Sequence, residues 1–324
     1  MNGGAEAVAR TNIALVKYWG KADPVRNLPA TGSLSLTLDG LWTRTRAVVE
    51  PGLDGDVISL DGRPAPAAVR RRTSRFLDLL RRDAGRRDFL RIESRNNFPT
   101  AAGLASSASG FAALTLAAAR ALGLEADAAG LADRARRGSG SAPRSLLGGF
   151  VELALDGRGG CRLEQLAAAA DWDLRLVLAL CASGPKAVGS TAGMERSRRT
   201  SPYYAGWLDS HAADLDRARS AVAERDLDAL GRVAEASCFK MHALAMSAEP
   251  PLIYFQPATL AAVRRVWQLR AEGLAGYVTI DAGPHVKVLC APAAAGPLAA
   301  ALGEVEGVER VFVERPGAAA EVKW

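Results

Sequence analysis

The chain has 324 residues, 49% of them hydrophobic and 23% charged, with a net charge of +6 and a mean hydropathy near zero. These proportions exclude a disordered or collagen-like chain, and no apolar run of membrane-spanning length escapes interruption by charge. The length suits two packed units, the four cysteines form no CxxC pair, and the basic surplus admits an anionic partner without selecting one.

The opening MNGGAEAVAR lacks a basic stretch followed by an apolar core, which predicts a cytoplasmic protein. TNIALVKYW, from Thr11 to Trp19, reads as a strand on which Ile13, Leu15 and Lys17 share a face, so a mostly buried face ends in a charge that needs a partner. A Gly/Pro-rich connection leads to SLSLTL, Ser33 to Leu38. Its strict alternation predicts leucines toward the core and Ser33, Ser35 and Thr37 toward a cleft or solvent. The run from Val69 to Arg87 sets Phe76, Leu77, Leu79 and Leu80 at helical spacing, which predicts an amphipathic helix with a solvated basic face. FLRIES follows as a strand.

The most informative stretch is NNFPTAAGLASSASGFAALTLAAARAL, Asn96 to Leu122. Gly103 and Gly110 let the backbone turn without Cβ clashes, while Ser106, Ser107 and Ser109 place hydroxyls beside the free N–H groups of a helix start. Those groups and the helix dipole favour an anion. The loop lacks the Gly-Lys-Ser/Thr ending of a Walker A motif, so neutralising charge must come from elsewhere. Taken alone, such a run is better read as a Ser-capped helix packed in a core.

A short helix from about Ala126 to Arg136 leads into GSGSAPRSLLGGFVELAL. LRLVLALC, Leu174 to Cys181, is a continuous apolar strand, and a boundary near Asp171 divides the chain into residues 1–170 and 171–324. Helices follow from about Tyr204 to Ala245 and from Pro257 to Gly273, the latter with proline in its first turn and glycine after its last. YVTI and VKVLC flank a DAGPH turn, and VERVFVE is the last strand. Cys181 and Cys290 fall in apolar runs, as buried reduced thiols do.

Five elements stand in order: NIALVKYWGK (12–21), PTAAGLASSASG (99–110), RRGSGSAPRSLLGGF (136–150), STAGM (190–194) and TIDAGPHVKVLC (279–290). Together they resemble the GHMP kinase superfamily and, within it, the diphosphomevalonate decarboxylase family, over nearly the whole chain. KYWGK, GSGSAxRS and DAGP are specific to the decarboxylase branch; the Gly/Ser loop alone marks only the superfamily. The resemblance implies an α+β, two-domain GHMP-kinase-like fold, with mixed or antiparallel sheets packed with helices and a cleft between an ATP-binding unit and its partner. It implies ATP- and Mg2+-dependent decarboxylation of mevalonate 5-diphosphate to isopentenyl diphosphate, ADP, phosphate and CO2. It further implies a cytoplasmic homodimer without nucleic-acid or membrane partners. The chemistry is coherent: a β-hydroxy acid has no electron sink for losing CO2, and phosphorylating its tertiary hydroxyl creates one.

By the same resemblance Asp281 sits beside the C3 hydroxyl and Lys17 keeps it ionised. Taken singly, Asp281 reads as an Asx-type turn former and Lys17 as a strand lysine with a solvated amine. Tyr18, Lys21, Ser139, Gly140, Ser141 and Arg144 carry over as substrate contacts. Arg144 suits bidentate capture of a carboxylate or phosphate, and Lys21 offers a point charge for the diphosphate. Ser190 and Thr191 belong at the substrate end. Ala102, Gly103, Leu104, Ala105, Ser106 and Ser107 carry over as nucleotide contacts, with Ser106 or Ser107 toward magnesium and no carboxylate ligand.

Three residues depart from the family pattern: His285 where Asn is common, Gly189 where Ser is common, and Pro143 where Cys or Ala is usual. None removes a charged group assigned to the chemistry. His211 and His242, in helical stretches, read as structural or exposed. The alternatives are a sister enzyme that decarboxylates mevalonate 5-phosphate or stops as a mevalonate 3-kinase, and a non-catalytic basic protein that binds anions or nucleic acid.

Overall fold

The computed structural model describes residues 4–98, 106–182 and 187–323. Two sheets organise it. The first is built on β1 (Gly4–Val16), β4 (Ser33–Val49), β5 (Val57–Leu60), β6 (Arg63–Pro64), β7 (Leu90–Asn96), β8 (Phe150–Leu155), β9 (Cys161–Ala167) and β14 (Glu321–Lys323). Its main path runs β14-β1-β4-β7-β5-β6, with β8 on the first half of β4 and β9 outside it; only β5 and β7 pair in parallel. The second sheet is antiparallel throughout, in the order β11 (Tyr277–Ile280), β12 (Val286–Cys290), β10 (Arg175–Leu180), β13 (Arg310–Glu314). A small hairpin, β2 (Lys21–Asp23) and β3 (Leu28–Pro29), projects between β1 and β4.

Helices α1 (Ala67–Asp83) and α2 (Ser106–Ala121) cover one face of the first sheet, packing Phe76, Leu77, Phe111 and Leu114 on Ala7, Ala47 and Ile92. α3 (Ala128–Gly138) follows. α4 (Ser190–Thr200), α5 (Tyr204–Glu224) and α6 (Leu227–Met246) come next, and α5 and α6 join the other face of the first sheet to the second. That shared core combines Ile13, Leu34 and Phe150 with Leu176, Leu178 and Leu289. α7 (Pro257–Ala271) and α8 (Pro292–Gly303) cover the remaining face, against Val177, Val278 and Val288. The strand β10 is therefore buried on both sides, which is why its sequence is continuously apolar.

A register shift between Arg10 and Asn12 in the β1–β4 ladder has a large effect on the site. Before it, Ala7 and Ala9 face the helices; after it, Ile13 and Leu15 face the opposite core. The irregularity exchanges the two faces and turns Asn12 toward the helix side. Lys17 lies just beyond β1 rather than within it, and Gly110 is a helical residue of α2 rather than a turn. The short strands β5, β6 and β14 and the helix α8 are not anticipated by the sequence reading. Among the described residues no helix is long and apolar enough to cross a membrane.

Candidate functional site

Asp281 follows β11 at the head of the tight turn into β12, closed by the Gly283 N–H donating to its carbonyl at 2.7 Å. Its carboxylate is held by two ammonium groups: Lys17 Nζ donates to Oδ1 at 2.6 Å and Lys287 Nζ to Oδ2 at 3.0 Å. The lysines are 2% and 1% exposed, whereas the Asp281 side chain keeps 28% exposure. Burial alone would raise this carboxyl; the two cations reverse that and hold it well below the ordinary range.

One face of α6 braces this centre. Ser237 Oγ accepts the Lys17 N–H at 3.0 Å, Cys238 Sγ accepts the Ile280 N–H at 3.1 Å, and His242 Nε2 meets the Ile280 carbonyl at 3.3 Å. Burial lifts the Cys238 thiol to about 11 and lowers the His242 imidazole to about 3, so both stay neutral at pH 7. His211 is likewise buried, on the Gly32 carbonyl at 2.9 Å.

Arg144 occupies a 3-10 turn, Ala142–Ser145, and is 1% exposed. Its Nε donates to Ser35 Oγ at 3.0 Å, Nη1 to Ser33 Oγ at 2.5 Å and Nη2 to Asn12 Oδ1 at 3.3 Å. Asn12 is fixed in turn by Ser145 Oγ at 2.7 Å. The hydroxyl face of SLSLTL is therefore buried, as a cradle for a guanidinium. Of the five N–H donors that arginine carries, three are used here, all on neutral oxygens, and no described carboxylate pairs with it. Burial depresses its pKa to about 10, with Tyr18 and Asp281 acting the other way, so it remains a cation at neutral pH.

Arg144 lies 5.9 Å from the centre of the Tyr18 ring. A Cβ on Gly140 would come within 2.5 Å of the Tyr18 hydroxyl, so a larger residue there would have to push the Tyr18 ring from its place. Ser139 Oγ reaches Ser141 Oγ at 3.2 Å and Ser107 Oγ, at the start of α2, at 3.4 Å. The GSGS turn thus touches Ser107 in the first turn of α2. Lys21 is half-buried; burial, then Arg72, lowers its pKa, while Glu195 of α4 opposes them. Arg72 donates to the Gly138 carbonyl at 2.8 Å. It belongs with Arg71, Arg75 and Arg82 of α1, and with Arg26 and Arg137, in the wall of a cavity of about 540 Å3. The basic face of α1 is thus a cavity wall and not only a solvated surface.

Ser190 opens α4 and Thr191 is exposed in its first turn. The same helix packs Met194 with Trp19, and a Cβ on Gly193 would lie 3.2 Å from the Trp19 ring, which ties STAGM to KYWGK through close packing. Ser109 is fully buried on Thr43 Oγ at 2.7 Å, so its hydroxyl is not offered at the open start of the helix. Ala102, Gly103, Leu104 and Ala105 lie outside the described residues.

Each departure from the family pattern is accommodated. Pro143 occupies the opening of the 3-10 turn, where its missing N–H costs nothing. Gly189 caps α4 without a side-chain hydrogen bond. His285 is buried and its Nδ1 accepts the Cys181 N–H at 3.2 Å. All four cysteines are free.

The sequence reading missed Lys287, Arg72, Asn12 and the α6 brace. Lys287 alone carried a signal, as a charge inside an otherwise apolar strand.

A family model for the Diphosphomevalonate decarboxylase-like N-terminal domain matches residues 9–161, and one for the Mevalonate 5-diphosphate decarboxylase C-terminal domain matches residues 176–311. The diphosphomevalonate decarboxylase of Bos taurus is 37% identical over 306 residues, spanning 86% of this chain and 75% of the bovine one. The solved structure of MDDEF in complex with MVAPP, AMPPCP and magnesium superposes with a TM-score of 0.93 at 39% identity, covering 100% of this chain and 99% of that one. Mevalonate diphosphate decarboxylase from Staphylococcus aureus gives 0.94 at 33% identity, with the same coverage of 100% and 99%.

Proposed function

The chain belongs to the diphosphomevalonate decarboxylase family, and on that premise we propose that it converts mevalonate 5-diphosphate and ATP to isopentenyl diphosphate, ADP, phosphate and CO2. The observation that carries this reading is the meeting of Lys17 with Asp281 at 2.6 Å across 264 residues of sequence. An ionised carboxylate partly open to a ligand, with its cations behind it, suits alignment of a tertiary alcohol.

In this reading Asp281 accepts the C3 hydroxyl hydrogen bond and aims that oxygen at the γ-phosphorus of ATP. The P–O bond to ADP breaks as the bond to the C3 oxygen forms, and the hydroxyl proton passes late to the Asp281 carboxylate, as a loose phosphoryl-transfer state allows. The C1–C2 bond then cleaves, its electrons become the C2–C3 double bond, and the C3 phosphate departs.

Arg144 takes the substrate carboxylate. It is the cation in electrostatic reach of both Asp281 and Tyr18, and the carboxylate lies two bonds from C3. The diphosphate, on the other side of C3, falls to Tyr18, Lys21 and Arg72 with Ser139, Gly140 and Ser141; Ser190 and Thr191 close that end. Residues 1–170 carry the nucleotide loop and 171–324 the carboxylate, in a cytoplasmic homodimer.

Ala102 to Ser107 hold the nucleotide phosphates. The start of α2 offers serine hydroxyls and no acidic residue, and the described residues contain no group of three or more His, Cys, Asp or Glu suited to a metal. This donor set fits a magnesium ion that arrives on nucleotide phosphates, touching Ser106 or Ser107, rather than a protein cage. When bound, the ion neutralises charge on the phosphates in transit.

Supplying ATP and magnesium with mevalonate, its 5-phosphate or its 5-diphosphate tests the reading. Equal release of ADP and CO2 with the diphosphate supports it. ADP without CO2 points to a kinase, and no product with any of the three leaves a binding protein. Sedimentation of the purified protein tests the dimer.

A further inference from the structure

Lys287 stands inside β12, whose other members Val286, Val288, Leu289 and Cys290 are fully buried. An ammonium 1% exposed in such a strand is far more costly than an aliphatic side chain unless an anion meets it. The only carboxylate ion-paired with it among the described residues is Asp281, at 3.0 Å. The other oxygen of that carboxylate already has Lys17, at 2.6 Å. One anion is therefore shared by two buried cations, leaving one positive charge in excess.

Among the described residues Asp39, Asp133 and Asp214 also meet two cations each, and Asp214, the buried one, gives the sharpest contrast. Asp214 is 1% exposed, while its partners Arg217 and Lys240 are 61% and 34% exposed. There the anion is buried and the cations reach solvent, as in an ordinary structural cluster. At Asp281 the order is inverted: the carboxylate is accessible and both cations lie behind it. That arrangement presents the carboxylate to a ligand.

We propose that Lys287 is a positioning residue of the reaction, fixing the orientation of the Asp281 carboxylate through Oδ2 and making the centre net positive where the C3 oxygen gains charge. The inference rests on the function proposed above. Lys17 secures one oxygen and leaves the carboxylate free to rotate about that contact; Lys287 removes the freedom. The same pair keeps Asp281 ionised, so it serves as an orienting acceptor rather than a strong base. The charged and titratable groups around it are Lys17 after β1, Lys287 on β12, Arg144 of the 3-10 turn, and Cys238 and His242 of α6.

The test uses Lys287→Met and Lys287→Gln in the full chain, each alone and combined with Asp281→Asn. Turnover, both KM values, the pH profile of kcat/KM and the melting temperature are recorded. Lys287→Met is expected to lower kcat about tenfold with little change in either KM. The acidic limb of its profile should move up by about one pH unit or more, because losing a cation raises the carboxyl pKa. In the Asp281→Asn background the same change should alter kcat by less than about twofold, since Lys287 acts through Asp281.

Lys287→Gln keeps a donor without the charge and should behave like Lys287→Met; should Lys287→Met fail to fold, the Gln variant carries the same readouts. Multiplying effects in the double variant, an unmoved acidic limb, or a Gln variant matching the unmodified protein would each overturn the proposal. If the unmodified protein itself released neither ADP nor CO2, the function would fail first, which separates the two.

Discussion

Two of the sites where the described residues bury positive charge meet it in opposite ways. At the β11–β12 turn, Lys17 and Lys287 share a carboxylate, so the charges are set before any ligand arrives. At the 3-10 turn, Arg144 is equally buried but rests on Asn12, Ser33 and Ser35, none of which is ionised. A buried cation on neutral oxygens is left with most of its desolvation penalty, and an incoming anion removes it. On the function proposed above, the first arrangement serves to orient a neutral hydroxyl and the second to receive a negative group. Each can be broken separately.

The largest effect should follow Asp281→Asn, which leaves two buried ammonium groups without their anion. Turnover should fall roughly a thousandfold or more, and the melting temperature with it, while calorimetry still detects ATP binding. Retained turnover would show that another group aligns the hydroxyl. Arg144→Met attacks the other arrangement. The KM for the substrate should rise by about a hundredfold, as expected for a lost charge-assisted contact, with a smaller loss of melting temperature than Asp281→Asn causes. Equal thermal losses in the two variants would erase the distinction between cations that meet a carboxylate and a cation that rests on neutral oxygens.

Asn12→Ala is a milder probe, because it removes one support of Arg144 and leaves the serines. A KM increase of about tenfold with kcat nearly unchanged is expected from substrate titrations. The smallest effect concerns stability and pH. His242 has a folded value depressed to about 3, against about 6.5 in an unfolded chain. Between those values the unfolded state binds more protons, so stability rises with pH and is lost as pH falls. Urea midpoints should drop from pH 7 to pH 4.5, and His242→Leu should flatten that dependence.

Much of this was legible in the sequence, for identifiable reasons. Alternation in SLSLTL separated Leu34, Leu36 and Leu38 from the hydroxyl-bearing residues, because a strand with one apolar face obeys period two. Lys17 and Asp281 are paired only by the family resemblance that KYWGK and DAGP help to carry, since each residue read singly is an ordinary strand lysine or turn former. Asn12 was invisible, since its aim depends on the register shift beside Arg10, and alternation cannot reveal where a ladder slips. Lys287 stands out in the sequence as a charge among apolar neighbours, but what it does depends on β11 and β12 folding back on each other. Arg72 was lost among the arginines of α1; only packing against the Gly138 turn distinguishes it. α8 was masked by Gly296 and Pro297, which argue locally against the helix that burial of Leu298 and Leu302 sustains.

On the proposed function, the tertiary oxygen aligned by Asp281 accepts the phosphoryl group and departs with it. Mevalonate 5-diphosphate labelled with heavy oxygen at the C3 hydroxyl, turned over with unlabelled ATP, tests this by mass analysis of the products. One labelled oxygen in every released phosphate is the predicted result; label recovered in water, beside unlabelled phosphate, would contradict it.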